Sequence, residues 1–331
     1  MRPRLCRPSG AKAPTASQMT TWCMKRSSHW DATPIRAASC PQRSQLRRHR
    51  AELYPLTTMQ RTPNPSDFED AVEAWLADKR DQFNYAQMRH TFLDTDRFHR
   101  WARVVDHYRR VSGARFLSSG CGLGGSLLAY HDAGAASVTG VEIDPEYARL
   151  ARLRVAQLST AAVHEVADES LPFCDDAFDL IESMDVIEHV GDPQRYLDEL
   201  ARVLAPGGAA VLATPHRLWP VEQHLGVVGP PWVPIRLANH LWPALARTPL
   251  VSRETAEKYA CVPTVREHNV SMRRLRRLAR ATGLRLAAIP RQDHPDSHWP
   301  LPRQPPWLEH ASTGRFLSLL APVRTLAVLL R

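Results

Sequence analysis

The chain has 331 residues, 44% of them hydrophobic, and a formal net charge of +9. That length buries one large core with room for a small appended subdomain. No apolar run reaches the roughly 18 residues of a membrane-spanning helix, and no apolar stretch of signal-peptide type follows the first basic residues. The six cysteines are scattered without a C-x-x-C pair, which argues against a zinc site or a disulfide scaffold and for a cytoplasmic setting.

Residues 1–58 carry eleven Lys/Arg against two Asp/Glu, and the remaining residues carry 32 of each sign. The basicity therefore belongs to the tail. A neutral body argues against a surface that tracks phosphates, so no nucleic-acid partner is expected. The tail is rich in Arg, Ser, Pro, Ala and Thr and lacks apolar periodicity, as a disordered segment would. An organelle transit peptide and a basic arm for nucleic acid or membrane are alternatives, as is a start of translation at Met59.

Residues 59–111 read as a helical cap. Ser66 and Glu69 have the spacing of a capping box, and Phe68, Val72, Trp75 and Leu76 follow at helical intervals. A second helix is expected from Thr95 to Arg110, with Phe98, Trp101, Val104, Val105 and Tyr108 on its apolar face. From Ala114 strands and helices alternate. Strands are expected at 114–120, 136–144, 161–168, 179–186 and 209–215, with a helix closed by Pro206 and Gly207 before the fifth. Such alternation means βαβ units: an α/β, Rossmann-like, doubly wound and mostly parallel sheet, with the N-terminal helices added. Residues 216–266, rich in Pro and holding Trp219, Trp232 and Trp242, break the rhythm and read as an irregular, lid-like insertion after strand five. A helix at 271–283 and a sixth strand close a domain of residues 112–290. The C-terminal extension, 291–331, ends in an apolar stretch with three Arg, which reads as a docking helix, a terminal strand or a membrane-surface contact.

The chemistry centres on FLSSGCGLGGS. Gly120, Gly122 and Gly124 stand where the first strand turns into a helix, and glycine there admits a tight turn and a close ligand. The following helix N-terminus offers free N–H groups. Gly120, Gly122 and Gly125 also satisfy G-x-G-x-x-G, and Glu142 closes the second strand 22 residues after Gly120. A dinucleotide reading stays open at this point.

Four segments in register carry a resemblance: FLSSGCGLG, GVEIDP, ADESLPFCDDAFDLIESMDVIEHV and LARVLAPGGAAVLATP. Together they resemble the class I S-adenosylmethionine (SAM) dependent methyltransferases, in particular the small-molecule group similar to the ubiquinone-biosynthesis O-methyltransferases. The resemblance covers residues 112–215, and 266–290 loosely. A NAD enzyme gives no account of the last two segments, and no Tyr-x-x-x-Lys occurs among the seven tyrosines.

The resemblance implies residue roles. Gly120, Cys121, Gly122 and Gly124 would line the methionine half of SAM. Glu142 would accept the ribose hydroxyls, Ile143 lie on the adenine face and Asp168 accept from the adenine amino group, while Met184 would sit near the sulfonium. Members of the family often have an acid where Ser118 or Ser119 stands, and this chain does not. Asp185, Glu188 and His189 show D-x-x-E-H spacing, which places three ligating groups on one face of a helical turn; they are the candidates for a Mg2+ or Mn2+ site. His216 or His268 could add a histidine ligand to such a metal site; His189 and His216 are the candidate catalytic residues, and His224, His240 and Glu222 are unranked. The implied activity is methyl transfer to a small-molecule or lipid-like acceptor, at oxygen. The alternatives are a metal-dependent RNA 2′-O-methyltransferase and a non-catalytic SAM-fold binding module. The oligomeric state is not read from the sequence.

Overall fold

The computed structural model describes residues 65–80, 85–215, 221–222, 224–265, 270–288 and 324–331. The expectations for residues 1–58, His216 and His268 lie outside the described residues.

Three helices precede the sheet: α1 (Pro65–Leu76), α2 (Tyr85–Leu93) and α3 (Asp96–Tyr108). α1 and α3 are where the sequence places them, while α2 was not foreseen. The alternating section follows as β1 (Arg115–Ser119), α4 (Gly125–Asp132), β2 (Ser137–Glu142), α5 (Pro145–Arg154), β3 (Ala161–Glu165), β4 (Phe178–Met184), α6 (Pro193–Val203) and β5 (Leu204–Pro215). The insertion holds two short strands, β6 (Val221–Glu222) and β7 (Val227–Val228), then α7 (Ile235–Ala246) and α8 (Arg253–Cys261). The chain closes with α9 (Met272–Ala281), β8 (Arg285–Ala288) and β9 (Arg324–Leu330).

The seven-stranded sheet has the order β3-β2-β1-β4-β5-β9-β8. β1 to β5 are parallel, and β9 runs antiparallel to both β5 and β8. The order reverses direction between β1 and β4. At such a switch point the carboxyl ends of the strands open a crevice, which is where ligands bind in doubly wound sheets.

Helix starts follow local chemistry. Asp144 caps α5 by accepting the Glu146 and Tyr147 amides, with Pro145 in the first turn. Asp192 caps α6 in the same way ahead of Pro193. Successive strand residues point to opposite faces. Phe116 and Leu180 therefore join the core under α3 and α4, with Trp101, Leu127 and Tyr130. Leu117 and Ile181 join the opposite core, with Leu197, Leu200, Leu275 and Leu329. The insertion has a small core of its own, made of Leu225, Val227, Ala238, Trp242 and Val262.

Two expectations are corrected. α6 ends at Val203, and Pro206 and Gly207 lie within the irregular start of β5, where the pairing with β4 shifts register between Phe178 and Leu180. Residues 216–266 are not simply irregular, since α7 and α8 pack together there. Of the readings for the end of the C-terminal extension, residues 324–330 follow the terminal strand: β9 fills the gap between β5 and β8 and buries Val328 and Leu329. The sheet thus draws on residues beyond 290. Among the described residues, no helix is long and apolar enough to cross a membrane.

Candidate functional site

The loop between β1 and α4 turns through three left-handed glycines, Gly120 at φ 75°, Gly122 at 53° and Gly124 at 76°. Two of them show why glycine is needed. A Cβ on Gly120 would meet Val186 Cγ2 at 2.4 Å, so the loop and the turn after β4 approach too closely for a side chain. A Cβ on Gly122 would meet nothing within 4 Å. There the backbone faces open space, as a surface that receives a ligand must.

Beside this loop lies a cavity of about 180 Å³. Its floor is the carboxyl end of the sheet: Ser118, Gly120, Cys121, Gly122, Glu182, Met184 and Asp185. Its roof comes from the N-terminal helices, through Phe92, Arg97, Phe98 and Trp101. The structure therefore brings Gly120, Cys121, Gly122 and Met184 together on one wall. Gly124 turns the loop against Ala151. Cys121 is buried and burial pushes its thiol far above the ordinary range, so it fills space and does not react.

Arg154 fastens the roof. Its guanidinium donates to the carbonyls of Phe92 (2.9 Å), Leu93 (3.1 Å) and Leu123 (3.4 Å), tying the last turn of α2 to the glycine loop. His99 Nε2 lies 3.0 Å from Asp132 Oδ2, a second link between α3 and α4.

Glu142 ends β2, is buried, and accepts three backbone N–H groups: Gly122 (2.8 Å), Ile143 (2.9 Å) and Asp144 (3.1 Å). Burial raises its pKa, and the three amides work against that rise. Ile143, beside it, is 41% exposed. Asp168 lies beyond the end of β3, which stops at Glu165. Its carboxylate accepts the Ser170 amide at 2.7 Å and does not line the cavity.

The two serines ahead of the glycines face opposite ways. Ser119 accepts from the Tyr196 hydroxyl at 2.9 Å on the α6 side of the sheet, where Ser183 also meets Tyr196 at 2.8 Å. Ser118 faces the cavity and bonds Ser126 at 3.0 Å. Its partner on β4 is Glu182, paired in parallel register.

A second polar cluster follows β4. Glu188, His189 and His224 each offer a ligand atom, and these atoms lie within 4.8 Å of one another. Glu188 is buried, receives the Thr214 hydroxyl at 2.9 Å, and its pKa is pushed up to about 8 by burial and by Asp185. His224 Nδ1 lies 2.6 Å from Glu222 Oε1. Burial opposes its protonation, but the Glu222, Asp185 and Glu188 carboxylates together outweigh that and the pKa rises. The cluster corrects the metal candidates: His224 replaces Asp185, which lines the cavity instead. Two imidazoles and one carboxylate form a donor set of the zinc or iron type, and Mg2+ prefers an oxygen-rich one. The donor set thus lends Mg2+ no support. Sequence reasoning did not rank His224 and missed Glu182 altogether; the His224–Glu222 contact depends on the β6 turn, and the setting of Glu182 on strand register.

Residues 117–212 match the family model described as "Methyltransferase domain". The chain is similar to a chloroplastic tocopherol O-methyltransferase of Arabidopsis thaliana, 36% identical over 35% of this chain and 34% of the relative. It is also similar to a ubiquinone biosynthesis O-methyltransferase of Xanthomonas oryzae, 34% identical over 37% of this chain and 52% of the relative. An ajmaline N-methyltransferase of Rauvolfia serpentina matches at 37% over 33% of this chain and 39% of the relative. The matched region thus spans about half or less of these relatives, whose names differ in both acceptor and methylated atom.

Proposed function

We propose that the central domain, whose residues 117–212 match the methyltransferase-domain model and whose sheet is doubly wound, is a class I SAM-dependent methyltransferase domain that binds SAM at the carboxyl ends of β1, β2 and β4 and methylates an oxygen of a small-molecule or lipid-like acceptor. The observation that carries this reading is the contact of Glu142 with the Gly122 amide, 2.8 Å, where Gly122 itself lines the cavity and Glu142 stands just outside it. It sets a carboxylate that can accept hydroxyls beside backbone that no side chain covers.

The residues fit the cofactor. Gly120, Cys121, Gly122 and Met184 would flank its methionine half, and Glu142 its ribose. Ile143 would lie against the adenine, with Asp168 as acceptor for the adenine amino group. When bound, SAM supplies a methyl group already activated by a sulfonium. The protein's part is alignment and exclusion of water, and the aromatic roof of Phe92, Phe98 and Trp101 serves both. On the acceptor side, His224 held by Glu222 is a base for a hydroxyl proton, with His189 in ring contact at 5.4 Å between centroids. The oxygen acceptor rests on the O-methyltransferase relatives.

Calorimetry on the full chain with S-adenosylhomocysteine and with NAD+ tests the reading. The expected result is binding of S-adenosylhomocysteine that weakens at least about tenfold in Glu142→Ala. Binding of NAD+ instead, or of neither, overturns it. An acceptor screen of quinols, phenols and amines then reads the methylated atom.

A further inference from the structure

The deep end of the cavity holds a carboxylate with no role so far. Glu182 is 2% exposed, and its Oε2 has no hydrogen-bond partner among the described residues. An orphaned carboxylate oxygen in a buried site carries a large desolvation penalty, so it calls for a cationic or donor partner. Its surroundings supply only part of one. Ser118 sits beside it across the β1–β4 pairing and bonds Ser126, and the Tyr130 and Ser126 hydroxyls and the Arg97 guanidinium act on the Glu182 carboxylate without satisfying Oε2.

The lining limits what that partner is. Glu182 and Arg97 both face the cavity, together with Gly120, Gly122 and Met184. Glu142, Ile143 and Asp168 do not line it. The enclosed space therefore belongs to the end of a ligand away from ribose and adenine. One acid and one base on the walls of a small enclosed space suit a zwitterion, and an α-amino acid group is a zwitterion.

Resting on the proposed cofactor, we propose that Glu182 binds the ammonium group of the amino-acid end of SAM, from the strand next to the glycine-loop strand. A charge-assisted hydrogen bond from an ammonium would satisfy the orphaned oxygen. Parallel pairing puts residues 118 and 182 side by side on one face, so a carboxylate on either strand reaches the same region.

The test compares two ligands that differ at this end. S-Adenosylhomocysteine carries the amino-acid group, and 5′-methylthioadenosine lacks it. Calorimetry on the full chain is expected to show Glu182→Gln weakening S-adenosylhomocysteine at least about tenfold and leaving methylthioadenosine within about twofold. Unchanged methylthioadenosine binding also shows that the variant is folded. Adding the acid back across the pairing, as Ser118→Asp with Glu182→Gln, is expected to recover most of the lost affinity. If Glu182→Gln changes neither ligand, or weakens both alike, Glu182 is not the ammonium partner while the cofactor assignment stands. If the unaltered chain binds neither ligand, the cofactor assignment fails and this inference fails with it.

Discussion

Gly122 donates its backbone N–H to the Glu142 carboxylate across the gap between the glycine loop and the end of β2, at 2.8 Å. The bond joins two segments 20 residues apart in sequence and fixes the loop before any ligand arrives. Gly122 is also left-handed, with open space where a Cβ would stand. Gly122→Ala is therefore expected to have two separable effects. Backbone strain lowers stability by about 1 kcal/mol. The new methyl, placed in space kept for ligand, weakens S-adenosylhomocysteine at least about tenfold. Denaturant titration and calorimetry on the same variant separate the two. Loss of stability with unaltered affinity would mean that the open space is not the binding surface.

Arg154 is expected to hold the roof. It lies over the Phe68 ring at 4.5 Å and donates to carbonyls of Phe92, Leu93 and Leu123, and burial pulls its pKa down to about 10. Arg154→Met keeps the stem and removes the donors, leaving those carbonyls without this partner. The expected loss is about 2–3 kcal/mol by urea denaturation, within the range for hydrogen bonds to a charged group. Proteolysis should then cut within the α1–α3 segment ahead of the sheet. A change below about 0.5 kcal/mol with unaltered proteolysis would show that the hydrophobic contacts of Phe68, Val72 and Leu76 hold the helices unaided.

Most of the sheet was legible because its signals are local. Asp144-Pro145 and Asp192-Pro193 mark helix starts, and Gly120, Gly122 and Gly124 mark the loop. What escaped is set by contacts distant in sequence. α7 contains Pro243 and lies in a Pro-rich stretch, so its helical pattern is masked by residues that ordinarily break one. β9 pairs with β5 and β8 across long stretches of chain, which periodicity cannot report. The cofactor wall was legible through its glycines. Glu182 was not: a Glu in DLIESM reads as any strand residue until the Ser118 register places it in a cavity. The acid absent ahead of the glycines was noticed, but its neighbour on β4 was not.

Glu222 is expected to set the protonation of His224. With Nδ1 held 2.6 Å from the carboxylate, the imidazolium is stabilised above its ordinary value despite burial. Glu222→Gln removes the charge and keeps the shape, so the His224 pKa should fall. NMR titration of the imidazole signals reads this directly and needs no acceptor. An unmoved pKa would show that Asp185 and Glu188, which also raise it, suffice, and would remove Glu222 from the proposed base.

Glu182 is expected to make the ligand-free protein less stable as pH rises. Burial pushes its pKa up to about 7, against the opposing pull of Tyr130, Ser126 and Arg97. Its folded value thus lies above its unfolded one, so the folded state holds the proton more tightly. Stability contributed by this group is present in full below the unfolded pKa, about 4.5, and is lost as pH rises through about 7. Glu182→Gln removes the titration. The variant should match the unaltered chain near pH 4.5 and exceed it by about 1–3 kcal/mol at pH 8, taking about 1.4 kcal/mol per pKa unit as the upper bound. Saturating S-adenosylhomocysteine should shrink or reverse that gap, because the ligand's ammonium would compensate the charge only when Glu182 is present. Parallel stability curves for the two proteins across this range would mean that the carboxylate finds its partner within the protein. A group that weakens the empty fold and strengthens the filled one is kept for its ligand, and these curves measure both halves of that statement.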